Sequence, residues 1–456
     1  MADTIAAVAT GGGISAIGVI RVSGDDAIGI VSKVFRPKSG RSIDEYESGR
    51  LVYGELIGAD GAAIDLCLCT ISRAPHSYTG ENTAELHCHG SPVVLAEGLR
   101  ALFKAGARQA LAGEFTKRAF LNGKMDLSQA AAVIDLIDAQ TEIAARNALG
   151  QLKGAVGRKI EEIYSGLLDI RSHYFAVIDY PDEDIEPFLL SQYKETLGRI
   201  EAQLERLHGT YESGRVLKDG VVTAIIGRPN VGKSSLLNAL AGYDRAIVSP
   251  YAGTTRDTIE ERVRLGSVVL RLTDTAGLRD TRDEIERLGV ERSKAAAESA
   301  ALVLAVFDGS EPLSEHDRAV MDAAAGARRC IAVVNKSDLL RRIETAEIEK
   351  ALGVPVFVSA KTGQGTEELK KAVEDLYGLG RLQPDGEVLT NALQADAVRR
   401  ALYSVGQARR ALDAGYTPDA VLYDLEEAMT ALGEITGRTV KEDTISRIFE
   451  RFCVGK

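Results

Sequence analysis

From Ile17 to about Arg118, apolar and polar residues alternate in short runs, AIGVIRV, RLVYGEL, DLCLCTI and TAELHCH, broken by Gly, Pro and Ser. A period of two sends successive side chains to opposite faces, so these runs predict half-buried strands. A stretch near 92–105 takes the helical period instead. Between Ala119 and roughly Leu217 the apolar residues recur every three or four positions, in Leu127–Ala148, Ile160–Ile178 and Tyr193–Tyr211, which predicts helices. Asp126 followed by Gln129 has the form of an N-cap with its returning partner. From Val221 to about Tyr377 the runs VVTAIIG, VVLRLTDT, ALVLAVFD, CIAVVN and VPVFVSA alternate with helical patterns over 234–241, 284–300, 314–325 and 366–377. Strict strand–helix alternation predicts a parallel sheet with helices on both faces. After the linker GRLQPDGE, helical patterns return in Asn391–Leu412 and Pro418–Leu432, and the sequence closes on FERFCVGK. Neither helical block is large enough to close a bundle alone, so the two are expected to pack together around an inserted α/β unit.

Composition narrows the class. The 456 residues are 45% apolar but only 5% aromatic, without Trp, so cores of Ala, Leu, Ile and Val are expected and an all-β fold is not. Sixty-six acidic against 55 basic residues give a net charge of −11, so an RNA partner needs a local patch or a helper. Cys67, Cys69, Cys88, Cys330 and Cys453 are an odd number without framework spacing, which favours a reducing compartment. The opening MADTIAAVATGGGISAIGVIR has no basic n-region or continuous apolar core, and no run approaches the roughly 20 apolar residues of a membrane span. A cytoplasmic protein without membrane attachment is expected.

Gly227-Arg-Pro-Asn-Val-Gly232-Lys233-Ser234 fits GxxxxGK[ST], between a predicted strand and a predicted helix. Backbone amides there can wrap phosphates at a helix N-terminus, Lys233 can neutralise β- and γ-phosphate oxygens, and the Ser234 hydroxyl can ligate Mg²⁺. Asn230, Val231, Gly232, Lys233, Ser234 and Ser235 are therefore phosphate-binding candidates. Asp274-Thr275-Ala276-Gly277 ends a strand, where a carboxylate can reach the Mg²⁺ shell and the Gly277 N–H a γ-phosphate. Asn335-Lys336-Ser337-Asp338 ends another, and the Asp338 carboxylate can accept from guanine's N1–H and amine, donors adenine does not offer together. Ser359-Ala360-Lys361 can present an N–H to the guanine oxygen, and Gly253-Thr254-Thr255-Arg256-Asp257 can bring Thr255 onto Mg²⁺. Each piece alone is ordinary loop chemistry, but all five in this order predict GTP binding. Ras-like GTPases carry a water-orienting glutamine after the DxxG glycine, whereas Leu278 stands here, so the water-positioning group must lie elsewhere.

The stretch GEFTKRAFLNGKMDLSQA at 113–130, the pair GRPNVGKSSLLNAL and GTTRD, DTAGLRD continuing to DEIERLGVERS, and the terminal FCVGK resemble the tRNA-modification GTPase family MnmE, also called TrmE. The resemblance covers nearly the whole chain. It implies a multidomain α/β plus α fold: an N-terminal α+β folate-binding and dimerisation domain over 1–118, a helical domain over 119–217 and 381–456, and an inserted Ras-like P-loop G domain with a parallel sheet over 218–380. It implies a homodimer that works with the flavoprotein MnmG, as a heterotetramer, to place an aminomethyl or carboxymethylaminomethyl group at carbon 5 of the tRNA wobble uridine. The one-carbon donor implied is 5-formyltetrahydrofolate or a related reduced folate, and GTP hydrolysis is stimulated by potassium. Matched residue by residue, the K⁺ ligands fall on Asn230, Ser249, Tyr251 and Thr254, with Ser249 and Thr254 also beside the nucleotide. The water-positioning glutamate falls on Glu286, and the folate contacts fall on Arg21, Glu85, Lys124 and Lys456. The family's important tail cysteine falls on Cys453, whose role stays open between nucleophile, redox group and structural residue. Phe449 and Phe452 share a helical face, so the tail is expected to dock.

Two departures stand out: Leu111-Ala112 before GEFT where the family usually has Arg-Pro, and Asn391-Ala392-Leu393-Gln394 in place of NxRH. Cys67 and Cys69 with His87 and His89 would suggest zinc if their strands paired, but zinc ribbons use CxxC turns and CxC within a strand reads as ordinary alternation. The alternatives are a ribosome-assembly GTPase switch, which would ordinarily carry a basic appended RNA-binding domain where this chain is net acidic, and a regulatory GTPase switch that only recruits partners.

Overall fold

The structure is a computed structural model that describes residues 3–179, 190–243, 261–272, 295–382, 385–415, 418–440, 445, 448–450 and 452–455. It divides into two compact units, Met1–Ile134 with Thr430–Lys456, and Asp135–Met429.

The first unit is built on a seven-stranded sheet of β1 (Ile5–Val8), β2 (Ser15–Ser23), β3 (Phe35–Pro37), β4 (Val52–Ile57), β5 (Ala63–Ser72), β6 (Thr83–Gly90) and β7 (Arg108–Gln109), in the order β3-β4-β5-β6-β2-β1-β7. All pairs are antiparallel except β1 with β7. Alternation sorts the two faces. Ile20, Val22, Leu56, Cys67, Cys69, Ile71, Leu86 and Cys88 pack against the helices Ala27–Val34 and Pro92–Ala105. On the opposite face Ile17, Tyr53, Leu66 and Leu68 stay 60%, 51%, 45% and 36% exposed. His87 and His89 also lie outside the core, so the buried thiols and the imidazoles do not converge on a metal.

Residues from the end of the sequence complete this unit. Val454 forms an antiparallel bridge with Ala112, and the Gly113 N–H donates to the Cys453 carbonyl at 3.3 Å. Phe449 and Phe452, with ring centroids 5.0 Å apart, are buried in a cluster with Leu127, Ala130 and Ile445. The tail is docked, as its aromatic spacing predicts. Asp126 and Gln129 form the reciprocal cap: the Gln129 N–H donates to Asp126 Oδ1 at 2.8 Å, and Asp126 N–H to Gln129 Oε1 at 2.9 Å.

The long helix expected over Leu127–Ala148 is two helices, Leu127–Ile137 and Glu142–Leu152. Thr141 caps the second by accepting the Ala144 N–H at 3.2 Å, so a polar side chain restarts what apolar periodicity alone would carry through. In the second unit the helices Ala155–Asp179, Leu190–Gly209 and Tyr211–Asp219 precede a sheet, and Ala392–Ala414 follows it. Leu190–Gly209 packs along Ala392–Ala414, so helices from before and after the sheet meet. Asn147 and Gln151 both donate to the Val388 carbonyl, at 3.1 and 2.6 Å, pinning the returning chain.

That sheet contains β8 (Val221–Ile226), β9 (Glu261–Leu265), β10 (Val268–Leu272), β11 (Leu302–Asp308), β12 (Cys330–Asn335) and β13 (Val356–Phe357), in the order β13-β12-β11-β8-β10-β9. Pairing is parallel except for β9 with β10, an antiparallel hairpin turning at Gly266 with φ +64°. Strict alternation therefore fails at this one edge. Every residue of the central β11 is buried, which is why the run is apolar without alternation. The carboxyl ends of β8, β11, β12 and β13 lie side by side, the edge where parallel sheets take ligands.

Candidate functional site

At the end of β8 the chain turns through Gly227–Gly232 into the helix Lys233–Tyr243. Asn230 and Gly232 have φ of +65° and +94°, left-handed conformations that turn successive amides inward, and Asn tolerates this better than most residues. A Cβ at Gly232 would lie 2.3 Å from Asn335 Nδ2, so only glycine fits. Lys233 Nζ donates to the Gly227 and Arg228 carbonyls at 2.7 and 2.9 Å. Burial pushes this lysine below its ordinary pKa by desolvating the ammonium, and the two carbonyls it meets carry no charge. An anion entering the loop would restore the missing charge complement, so the residues fit a phosphate. Val231, fully buried, belongs to the core and reaches the site only through its backbone. Ser234 and Ser235 lie in the first turn of the helix.

Asn335 joins this loop to the base-side turns. Its Nδ2 donates to the Val231 carbonyl at 2.9 Å, and its Oδ1 accepts the Ala360 N–H at 3.0 Å. Ser359 Oγ donates to Asp338 Oδ1 at 2.7 Å, and this bond is the chief reason the Asp338 carboxyl is held below the usual range. Lys361 is exposed beside it. The predicted elements Asn230–Ser235, Asn335–Asp338 and Ser359–Lys361 are thus gathered at one sheet edge. Ser249, Tyr251, Thr254, Thr255, Asp274, Thr275, Ala276, Gly277, Glu286 and Lys456 lie outside the described residues.

Two residues here escaped the sequence reading. Arg228 reaches Glu311 at 2.5 Å and Asp317 at 3.2 Å, tying the phosphate loop to the helix Glu315–Ala325. Asp308, the last residue of β11, holds Lys336 Nζ at 2.5 Å. The signal available was position alone, an acidic residue closing an otherwise apolar strand.

The first unit holds three of the four residues matched to folate, Arg21, Glu85 and Lys124. Arg21 Nε donates to Glu85 Oε1 at 2.8 Å across paired β2 and β6, and its guanidinium lies over the rings of Tyr78 and Phe115, at 5.4 and 5.8 Å. Tyr78 is hydrogen-bonded to Thr116 at 2.9 Å, and Lys124 Nζ donates to the Pro75 carbonyl at 3.0 Å. The loop 74–81 and the helix Glu114–Leu121 therefore gather Arg21, Glu85 and Lys124. Cys453 is exposed on the tail strand beside Gly113, at the start of that helix. A polar ligand could take a carboxylate acceptor and two cations from this face.

Matches to known families span most of the chain. Residues 4–124 match the family described as the GTP-binding protein TrmE N-terminus, and residues 127–453 match the MnmE helical domain. Proteins named tRNA modification GTPase MnmE are 42% identical in Thermoanaerobacter pseudethanolicus, 41% in Clostridioides difficile and 43% in Geobacillus kaustophilus, each over 100% of this chain and 99% of the relative. Among solved structures, the G domain of the Thermotoga maritima FeoB iron transporter aligns at 29% identity over 35% of this chain and 98% of its own, with a TM-score of 0.26, too low to bear on function. With full-length relatives above 40% identity, the chain belongs to the tRNA modification GTPase family MnmE.

Proposed function

We propose that this chain is a GTPase that acts in tRNA modification, and that hydrolysis serves the addition of an aminomethyl or carboxymethylaminomethyl group at carbon 5 of the wobble uridine. The observation that carries the nucleotide part is Asn335, whose two hydrogen bonds make the phosphate loop and the base-side turns one rigid site. Lys233 would exchange two carbonyls for phosphate oxygens, gaining charge-assisted bonds. Asp338 would accept from guanine, and ATP would leave that carboxylate unpaired. Ser234 and Thr255 would hold Mg²⁺, and Asn230, Ser249, Tyr251 and Thr254 would hold K⁺; the two cations would neutralise charge developing on the phosphates. Glu286 would orient the attacking water in place of the glutamine that Leu278 replaces.

For the tRNA part, Arg21, Glu85, Lys124 and Lys456 would bind 5-formyltetrahydrofolate or a related reduced folate as the one-carbon donor, with the flavoprotein MnmG as partner in a cytoplasmic heterotetramer. The exposed Cys453, far from Gly113 in sequence but hydrogen-bonded to it at the start of the helix behind Arg21, supports a role for the tail there. The apolar outer face of the first sheet supports a homodimer, because four large side chains left in water on one face are an interface in need of a partner. The test is wobble-uridine modification of tRNA by the purified protein with MnmG, GTP and the folate. Product requiring all three is expected, with turnover of GTP much slower in sodium than in potassium. GTP hydrolysis without any uridine product would leave a regulatory switch instead, and equal rates in both salts would remove the potassium ligands.

A further inference from the structure

The NKSD turn depends on a residue outside every nucleotide motif. Asp308 closes β11 and is only 3% exposed, yet its carboxylate makes three polar contacts: Oδ2 takes the Lys336 ammonium at 2.5 Å, and Oδ1 takes the Ser310 N–H at 2.9 Å and the Ser310 hydroxyl at 2.6 Å. Its neighbour Gly309 donates its N–H to the Asn335 carbonyl at 2.9 Å and accepts from the Arg342 N–H at 2.9 Å. The Asp308–Ser310 loop therefore grips the base-side turn through backbone and side chain together. Lys336 needs that grip. Its φ is +63°, a left-handed conformation unfavourable for a non-glycine residue, and its side chain is one-third exposed, with the Asp308 carboxylate holding the end of its four-carbon stem.

We propose that Asp308 is a positioning residue for guanine nucleotides, acting through Lys336. The inference rests on assigning Asn335–Asp338 as the base site. By holding the ammonium, Asp308 stretches the stem between the turn and the end of β11 before any nucleotide arrives. A lysine already immobilised is one the nucleotide does not have to order, and ordering such a side chain costs binding appreciably. Burial alone would raise the Asp308 carboxyl, but Lys336 and the two Ser310 donors outweigh it and keep it charged at neutral pH.

The test is a double-mutant cycle in the full-length protein, with GDP affinity by titration and GTP turnover at saturation. Asp308→Asn should weaken GDP about tenfold and raise KM for GTP similarly, leaving kcat near wild type. Made in a Lys336→Met background, the same substitution should add little, because the tether is already gone. Lys336→Met alone should also weaken GDP, and this arm stands even if Asp308→Asn does not fold. Equal weakening by Asp308→Asn in both backgrounds would make it a structural residue only, and unchanged affinity in either single variant would overturn the proposal. Asp338→Asn is the control for the underlying assignment. It should shift preference from guanine to xanthine, whose carbonyl replaces the amine, and no shift would discard the base site itself rather than the tether.

Discussion

Individual side chains differ most sharply in what surrounds their ionisable groups. The bond to Cys88, with burial second, pushes the Cys67 thiol up, while burial pushes the Cys69 thiol up and raises Cys330 to about 11. Cys453 is exposed. A water-soluble disulfide reagent at pH 7.5 should therefore label Cys453 first and leave the buried Cys67, Cys69 and Cys88 unmodified until unfolding, with mass spectrometry assigning each site. Glu114 shows the opposite balance. Burial would raise it, but Arg108, the Leu111 N–H and Arg118 together hold it below its ordinary 4.5. Because the folded carboxyl titrates below the unfolded one, its contribution is complete above pH about 4.5 and is lost as pH falls through the folded value. Glu114→Gln should lower the melting temperature at pH 7, a cost of about 1.5–3 kcal/mol for a hydrogen bond to charge, and should converge on wild type near pH 3 by circular dichroism. Convergence at neutral pH would mean the arginines do not use this carboxylate.

Elements were legible where their own pattern was long. DLCLCTI and TAELHCH lie within β5 and β6, the helix near 92–105 is Pro92–Ala105, and CIAVVN is β12 residue for residue. Strands β1, β3, β7 and β9 were not foreseen, since two to five residues are too few to show a period, and the tertiary ladder rather than local preference makes them. The base and phosphate motifs came from spacing alone. Asp308 and Arg228 did not, because their importance lies in contacts 28 and 89 residues away along the chain, to Lys336 and Asp317. The tail segment gives this scale its own test. Gly113 has φ +63°, and a Cβ there would meet the Phe449 carbonyl at 2.7 Å and Phe452 Cβ at 2.8 Å. Gly113→Ala should release the tail while the sheet stays folded, seen as cleavage near residue 450 by a carboxypeptidase that spares wild type. A tail equally resistant in the variant would mean the phenylalanine cluster alone holds it.

For the molecule as a whole, net charge and surface pull in different directions. A charge of −11 keeps chains apart at long range, while the outer sheet face offers Ile17, Tyr53, Leu66 and Leu68 for contact at short range. If that face joins two copies, Leu68→Asp should convert the protein to a monomer by light scattering, without lowering GTP affinity. An unchanged mass would move the dimer contact elsewhere.

The bridge between Ala112 and Val454 has one further consequence, during synthesis. A ribosome delivers the N-terminal sheet early, yet the strip beside Gly113 stays bare until more than three hundred further residues have been made, so a nascent or truncated chain presents an unfinished edge there. Synthesis of the stretch around Val454 is then itself the event that seats the cysteine-bearing segment, and chains cut short of it would never acquire it.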